Sequence, residues 1–399
     1  MEPVCCKGAE GGLRRAHSGG RNRMKTKMDR RGQREDREIP HAPADLLLGF
    51  LVLLLLALGL VLLYSTSAYN GRVKFDDAAY YFKKQLFATL LGLLAFYLVS
   101  HMDYHRIARL AWPIYGVSLV LSTLVLFVGR EYNGSKRWLA LGPLSFQPAE
   151  FAKVAVVIFL ARQISESKRR TDTFRFMALT MAMLLPIVGL VGTNNLSTAV
   201  IILGIGGILI FVSNPRYLPF VGVGAAGLAF VGIFLSLESY RLERLAIWRN
   251  PEAYEKGFQT IQGLYAIGSG GIFGRGLGSS LQKLGFVPEA QNDMIFSIIC
   301  EETGLVGAAL VILIFGLLIW RLMVNAVHAP DLLGELICTG IMGHLALQVI
   351  LNIAVVTNTI PNTGITLPFV SYGGTSVLFL MGEMGLAVSV SRSAAGRRR

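Results

Sequence analysis

Residues 46–64 read LLLGFLVLLLLALGLVLLY, a stretch without a charge or a proline. A helix of this length crosses the hydrocarbon core of a bilayer, which takes about 20 apolar residues. The whole chain has the same character: 53% of its 399 residues are hydrophobic, only 16% are charged, and the mean hydropathy is +0.53. Because soluble domains carry about 25% charged residues, this composition excludes a soluble enzyme, a disordered protein and a disulfide scaffold. We predict an all-α polytopic membrane protein.

Working outward from this stretch, we find ten segments that are apolar enough to span a membrane. They are 46–64, 85–100, 107–128, 149–164, 176–192, 196–213, 217–236, 304–322, 332–357 and 372–391. The fourth and tenth are the weakest because they carry charge or several glycines. Of the 38 Lys and Arg residues, 24 lie in segments on the side of both termini and 13 on the opposite side. The positive-inside rule then predicts that both termini are cytoplasmic.

Three regions follow from this pattern. Residues 1–45 are predicted to form a basic, disordered cytoplasmic tail, attracted to anionic lipid rather than to nucleic acid. Residues 46–391 form the ten-helix membrane domain, and residues 392–399 a second basic cytoplasmic tail. The longest outer segment, about 237–303, alternates aromatic, glycine and charged residues. We expect it to form short amphipathic helices over the outer mouth of the bundle.

Charged residues near the outer surface are the first candidates for chemistry. Lys136 and Arg137 stand beside Trp138, a combination that suits an anionic lipid head group. Glu150 and Lys153 lie three apart on one helix face. They form either a structural ion pair or part of a substrate path, since charge inside a membrane is a functional hypothesis by default.

The acid of greatest interest is Asp293, which stands just before an apolar run. A carboxylate in such a low-dielectric place has a raised pKa, as a general base requires; the alternative is that Asp293 caps the following helix. The glycines at 268–278 lack the strand and the GKS or GKT of a nucleotide loop, so we expect a tight interfacial fold. Glu301 and Glu302 are interpreted as first-turn acids of the eighth span rather than as a metal pair.

Two further features concern the last spans. His344 and Glu383 fall inside the ninth and tenth spans, and we interpret both as packing or interhelical hydrogen-bonding residues. The segment IPNTGITLPFVSYGGTS at 360–376 breaks the helices on either side. Irregular backbone at membrane depth is tolerated where it lines a cavity, so this outer loop and its Ser371 and Tyr372 become candidates for substrate binding.

Several long motifs, in order, resemble the SEDS family, whose members include FtsW, RodA and SpoVE. They are NGSKRWL (133–139), FQPAEFAK (146–153), GSGGIFGRGLGSSLQKLGFVPEAQNDMIF (268–296), EETGLVGA (301–308) and TGITLPFVSYGGTS (363–376). The resemblance covers about 46–391, and the division and sporulation branch is nearer than the elongation branch. Two stretches depart from the usual family pattern: Gln291-Asn292 replaces His-Thr before the acid, and Asn194–Thr198 lacks the acid of Pro-Asp-Leu-Gly-Thr.

The resemblance implies the ten-helix SEDS fold and a peptidoglycan glycosyltransferase. Its substrate would be lipid II, a disaccharide pentapeptide on undecaprenyl pyrophosphate, polymerised at the outer face of the bacterial cytoplasmic membrane. A class B penicillin-binding protein and other division proteins would be its partners, at the septum or in sporulation. The family's essential acid falls on Asp293, its acid–lysine pair on Glu150 and Lys153, and its Arg-Trp on Arg137 and Trp138.

The chemistry agrees with these residues. A sugar hydroxyl needs one positioned base, and a pyrophosphate leaving group needs only cations. We therefore expect Asp293 to be the base, and the phosphates to be held by cations among Lys136, Arg137, Lys153, Arg244 and Lys283. A divalent cation, Mg²⁺ or Mn²⁺, would also serve, although no ligand cluster marks a metal site. The alternatives are a lipid II flippase, which would place polar groups at the midplane in two related halves, and a non-enzymatic scaffold.

Overall fold

The computed structural model describes residues 45–132, 135–141, 144–167, 174–213 and 239–397, with isolated positions at 224, 227 and 232. Helices dominate these ranges. They are α1 (Leu46–Phe75), α2 (Tyr80–His101), α3 (Tyr104–Arg109), α4 (Ala111–Val128), α5 (Pro148–Glu166), α6 (Phe174–Asn194), α7 (Leu196–Ser213), α8 (Ser239–Arg249), α9 (Phe258–Gly270), α10 (Ile295–Val327), α11 (Leu332–Val356) and α12 (Thr375–Arg397). Two short 3₁₀ helices, Pro251–Ala253 and Glu255–Gly257, join α8 to α9.

Most of the predicted spans coincide with helices. Within the described ranges, eight helices are long and apolar enough to cross a membrane: α1, α2, α4, α6, α7, α10, α11 and α12. The predicted fourth span is α5, which carries Glu150, Lys153, Arg162 and Glu166 and buries most of its length. The tail 1–44 and, apart from the isolated positions 224, 227 and 232, the seventh predicted span 217–236 lie outside the described residues. The all-α membrane fold is confirmed, whereas the cytoplasmic placement of both termini stays a prediction.

Helix α11 lies at the centre of the bundle. It packs against α5, α7, α10 and α12. In its most apolar window 67% of the residues are buried within the protein, compared with 22% for α2. A helix so enclosed carries polar side chains only if neighbouring groups satisfy them, and α11 therefore becomes a place to look for organised polar contacts.

The outer segment between α4 and α5 forms a small antiparallel sheet that the sequence analysis did not predict. Its strands are β1 (Arg130–Tyr132), β2 (Ser135–Leu141) and β3 (Leu144–Phe146), in the order β1-β2-β3. Arg130 pairs with Trp138 and Leu139 with Phe146. β1 and β3 have only three residues each, and β2, SKRWLAL, does not alternate polar and apolar residues, so the sequence gives no strand pattern. The sheet matters because it carries Lys136 and Arg137.

The predicted outer segment 237–303 contains the expected short helices, α8 and α9, and the first part of α10. Helix α10 begins at Ile295 and is broken at Gly304, whose φ is 66° and ψ is −166°. Main-chain N–H groups of the glycine-rich loop bond the carbonyls next to this break: Arg275 N donates to Glu301 O and Gly276 N to Glu302 O, each at 2.9 Å. An added Cβ on Gly304 would collide with Gly274, so the glycines permit close packing of two backbones.

Candidate active site

Asp293 lies two residues before α10, at the end of a tight turn. Glu289 has a φ of 53°, and Asn292 donates to it twice, from its main chain to Glu289 O at 2.9 Å and from Nδ2 to Oε2 at 2.6 Å. Met294, not Asp293, occupies the N-cap position of α10, and among the described residues no side chain caps that helix. The capping alternative for Asp293 is therefore wrong, and its half-buried carboxylate remains available for chemistry.

The surroundings of this carboxylate hold it only weakly. Gln259 Nε2 donates to Asp293 Oδ1 over 3.4 Å, a long hydrogen bond. Burial raises the pKa of Asp293 to about 6, and the negative charge of Glu289 adds to the rise. The cations of Arg244 and Arg137 offset part of it. A carboxyl group with this pKa is ionised at neutral pH and is a stronger base than an ordinary aspartate.

Arg244 reaches the site from α8. Its Nη1 donates to the carbonyl oxygen of Asn362 at 3.2 Å, and Trp248 Nε1 on the next turn donates to Asn358 O at 3.0 Å. Asn362 Nδ2 in turn faces Gln259 Oε1 at 3.4 Å. Helix α8 is thus fixed onto the loop after α11, with the exposed Arg244 on the side where its charge acts on Asp293.

Arg137 reaches the site from strand β2. Its Nε donates to Asn194 O at 2.8 Å, and Asn194 Nδ2 donates back to Lys136 O at 2.8 Å. This reciprocal pair fixes the strand to the end of α6. Both basic side chains line one small open pocket, and Trp138 is half-buried beside them. The site therefore brings together Asp293, Arg137 and Arg244 from three distant parts of the chain.

The family acid that is missing before α7 leaves a structural replacement. Asn195 Oδ1 accepts the main-chain N–H of Thr198 at 3.2 Å, which caps the first turn of α7. Its neighbour Asn194 clamps β2, as described above. In this chain the two asparagines at the departure from the family pattern therefore have structural contacts, one with α7 and one with β2.

Ser371 and Tyr372 brace their own loop. Ser371 Oγ accepts the N–H of Leu367 at 2.8 Å. Tyr372 N donates to Gln291 O at 2.9 Å, and its ring meets that of Tyr81 edge-on at 5.0 Å between centroids. Burial raises the pKa of Tyr372 to about 12, so this phenol stays neutral. Their contact with substrate stays a prediction.

Glu150 and Lys153 form the expected pair inside the bundle. Lys153 Nζ lies 2.9 Å from Glu150 Oε1 and also donates to Gln348 Oε1 at 2.7 Å. Ser376 Oγ donates to the other carboxylate oxygen at 2.6 Å. All four side chains are buried. The pair joins α5 to α11 and α12, which supports the structural alternative; a part in the substrate path remains untested.

Lys283 belongs to a second buried cluster. Its Nζ donates to Glu302 Oε1 at 2.7 Å and to Ser65 Oγ at 2.8 Å. Glu301 accepts from Ser280 Oγ and from the main-chain N–H of Leu281 at 3.0 Å. The interpretation of Glu301 and Glu302 as first-turn acids is wrong, because they precede the break in α10 and fasten the glycine-rich loop. The proposed phosphate contact of Lys283 is not tested by this geometry, although its charge is already paired.

The sequence analysis missed Gln259 and Asn352. Gln259 touches the carboxylate, and Asn352 Nδ2 donates to the main-chain oxygen of Asp293 at 2.9 Å. For Asn352 the signal was the repeat of polar residues at every fourth position of the apolar helix α11. From that repeat only His344 was singled out. His344 itself lies 2.8 Å from Glu383, so the two residues, interpreted separately as packing or interhelical hydrogen-bonding residues, are partners of each other.

Among the residues that the structure describes, no group of three or more His, Cys, Asp or Glu side chains is arranged to hold a metal ion. Asp293 has Glu289 nearby, and that acid is paired with Lys74 at 3.1 Å. A divalent cation that arrived with a pyrophosphate would find one protein carboxylate and the phosphate oxygens themselves as its ligands, which suits Mg²⁺.

Comparison with known proteins gives one consistent result. Residues 45–396 match the family described as cell cycle protein, FtsW/RodA/SpoVE. Stage V sporulation protein E of Bacillus subtilis is 40% identical over 363 residues, covering 87% of this chain and 97% of that protein. A probable peptidoglycan glycosyltransferase FtsW of Trichlorobacter lovleyi is 34% identical, covering 88% and 93%.

Solved structures give the same fold. A chain from a study of polymerization and crosslinking by a peptidoglycan synthase complex superposes with a TM-score of 0.73 at 34% identity, covering 88% of this chain and 98% of that one. The rod shape determining protein RodA of Thermus thermophilus superposes with a TM-score of 0.66 at 32% identity, covering 88% and 97%.

Proposed function

Since the chain belongs to the FtsW/RodA/SpoVE family of cell cycle proteins, we propose that it is a peptidoglycan glycosyltransferase that polymerises lipid II at the outer face of the membrane. Relatives named as probable peptidoglycan glycosyltransferases support the activity. The observation that carries the proposal is the Asp293 carboxylate, raised in pKa by burial and faced by two arginines from separate segments.

One base suffices for this reaction. The 4-hydroxyl oxygen of the acceptor sugar attacks the anomeric carbon of the donor, and the bond from that carbon to the pyrophosphate oxygen breaks. The hydroxyl proton passes to Asp293, and undecaprenyl pyrophosphate leaves as an anion that needs no acid. A single displacement inverts the anomeric centre. Because the leaving group needs no general acid, one carboxylate suffices here, whereas glycoside hydrolases use two.

The leaving pyrophosphate needs positive charge. Arg137 and Arg244 act electrostatically on the same carboxylate, so an anion beside Asp293 lies within their field, and Lys136 shares a cavity with Arg137. We assign these three cations to the pyrophosphate. Lys153 and Lys283 are already paired with buried carboxylates, and we assign them to the framework of the site. Bound Mg²⁺ or Mn²⁺ would add Lewis-acid stabilisation of the leaving group.

The partner and the location are proposals of the same kind. A related chain is part of a peptidoglycan synthase complex, which supports a class B penicillin-binding protein as the partner of this multi-pass membrane protein. Similarity to FtsW and to a sporulation protein supports work at the division or sporulation septum.

The test is polymerisation of purified lipid II by the purified protein with its class B partner, with products resolved on a gel. We expect polymer from wild type and none from Asp293→Asn. Asp77→Asn makes the same change at another outer acid, one paired with Lys83, and should retain activity. Polymer from Asp293→Asn would overturn the assignment of the base. If neither wild type nor any variant made polymer with the partner present, a flippase or a scaffold would be favoured. A liposome translocation assay separates these two.

A further inference from the structure

Helix α11 carries a polar face toward the site. His344, Gln348 and Asn352 follow one another every four residues, which places them on one side of the helix. Their exposed fractions are 1%, 1% and 0%. Buried polar groups are costly in a membrane bundle unless hydrogen bonds satisfy them, so the partners of this face show what it is for.

Asn352 is bonded to the segment that bears the base. Its Nδ2 donates to Asp293 O at 2.9 Å and to Ile365 O at 2.7 Å. A side-chain amide has two N–H donors, and here both go to main-chain oxygens of two different segments. One buried side chain therefore ties the Asp293 turn to the loop that follows α11.

Gln348 continues the same arrangement one turn away. Its Nε2 donates to Thr366 O at 3.1 Å, while its Oε1 accepts from Lys153 Nζ at 2.7 Å and from His344 Nε2 at 2.9 Å. Because an ammonium group only donates, the atom facing Lys153 must be the amide oxygen. Lys153 and His344 thus fix the orientation in which Gln348 holds the loop.

The held loop forms a wall beside the carboxylate. Gly364 precedes the two bonded carbonyls and has a φ of 68°, and a Cβ at this position would lie 3.7 Å from Asp293 Oδ2. The distance between this backbone and the carboxylate therefore depends on where Asn352 and Gln348 hold residues 365 and 366. A shift of the loop would open the carboxylate to water.

We propose that Asn352 is a positioning residue for the reaction: it fixes the main chain of Asp293 against the 360–374 loop, with Gln348 as its second support. The inference rests on the proposed function, in which Asp293 is the base. It gives the Glu150–Lys153 pair a task that needs no contact with phosphate, since Lys153 orients Gln348.

The experiment compares wild type, Asn352→Leu, Asn352→Asp and Asn325→Leu as purified complexes with the class B partner, using lipid II. Asn352→Asp keeps the shape of the side chain and removes its two-proton donor. Asn325 is a matched control: it is also a buried asparagine on a spanning helix, but it donates to Asp45 at 2.9 Å, away from Asp293. Polymerisation rates are measured against lipid II concentration and against pH.

We expect both Asn352 variants to lose at least about tenfold in kcat, since displacing a reacting group by about 1 Å costs up to 10²-fold. KM for lipid II should stay within about twofold, because no phosphate contact is removed. In Asn352→Leu the acidic limb of the rate profile, where the rate falls as Asp293 becomes protonated, should move to lower pH as the carboxylate gains water. Asn325→Leu should keep the wild-type limb and KM even where it lowers thermal stability.

The midpoint of the limb does not depend on the fraction of protein that is folded, so it separates positioning from simple destabilisation. An unchanged limb and kcat in Asn352→Leu would overturn the inference while leaving the proposed function intact. Full activity of Asp293→Asn in the same series would overturn the proposed function itself.

Discussion

Asp293 and Glu302 stand nine positions apart, on either side of the start of α10, and the protein treats them in opposite ways. Glu302 is 1% exposed and accepts from Lys283 at 2.7 Å and from Ser65 at 3.0 Å. Asp293 receives one long side-chain hydrogen bond of 3.4 Å, and its pKa is raised by burial to about 6.

The difference separates two uses of buried acid. A carboxylate with a close ammonium partner is satisfied and fastens one segment to another. A carboxylate whose cations act from a distance keeps a raised pKa and can accept a proton, as a general base must. Glu302 is therefore a fastening acid, and Asp293 is a reacting acid.

The largest effect is expected at Asp293. Asp293→Asn should lower the polymerisation rate by about 10³-fold, within the range that a general base supplies. It should also raise the melting temperature at pH 7.5. Because its pKa is raised in the folded state, ionised Asp293 destabilises that state. This destabilisation is absent below about pH 4, the pKa in the unfolded chain, and reaches its full size above about pH 6. Thermal unfolding of purified protein checks the sign; a lower melting temperature would place Asp293 with the fastening acids.

Glu302 should show the reverse pattern. Glu302→Gln leaves the Lys283 ammonium buried without its carboxylate, and breaking such a pair costs about 3–5 kcal/mol. We expect a lower melting temperature and less folded protein. The double variant Glu302→Gln/Lys283→Met should recover most of this loss and should polymerise at near the wild-type rate per folded molecule. A folded double variant without activity would return Lys283 to the phosphate site.

Removing a cation should act on both binding and pH. Arg244→Gln is expected to raise KM for lipid II by about tenfold, the equivalent of one charge-assisted hydrogen bond. Since Arg244 lowers the pKa of Asp293, its loss should move the acidic limb of the rate profile to higher pH. Arg249→Gln on the same helix serves as the control. A limb that stays in place would mean that Arg244 does not face the carboxylate.

A smaller effect is expected at the opposite end of the bundle, where His105 lies 2.7 Å from Asp331 and 2.8 Å from Asp103. The hydrogen bond with Asp331 raises the pKa of His105 against the effect of burial, and Asp103 adds to it. The stability from this contact is complete below about pH 6.5 and is lost as pH rises through the folded pKa. His105→Gln should therefore lower the melting temperature at pH 5.5 but not at pH 9. The loss in the free energy of unfolding should be less than about 1 kcal/mol because the side chain is half-exposed. A difference that grew with pH would contradict this.

The fold was predictable from sequence to the extent that apolar length decides it. The apolar sequences that form α1, α7 and α11 were predicted from their length and hydropathy alone. The sequence of α5 was recognised as a weaker span because it carries charges. The break at Gly304 was harder, since it depends on the glycine-rich loop supplying main-chain donors from about thirty residues away. The small sheet was missed because β1 and β3 have three residues each and the seven residues of β2 do not alternate between polar and apolar.

The site was predictable where a residue type is informative by itself. An acid before an apolar run identified Asp293, and basic residues near the outer surface identified Arg137 and Arg244. The geometry then separated residues that sequence alone treats alike: Lys283 and Arg244 are both outer cations, but Lys283 pairs with the buried Glu302 at 2.7 Å, whereas the charge of Arg244 acts on Asp293. Asn352 was missed because the sequence does not show which groups a side-chain amide in an apolar helix bonds, and its role depends on those groups.

The most direct measurement is the pH dependence of kcat/KM for lipid II polymerisation by the wild-type complex between pH 4.5 and 8. The account predicts an acidic limb with a midpoint near 6, because the base must be ionised and burial holds the pKa of Asp293 at about that value. A midpoint near 4, or a rate that does not change over this range, would contradict the claim that Asp293 is a buried base.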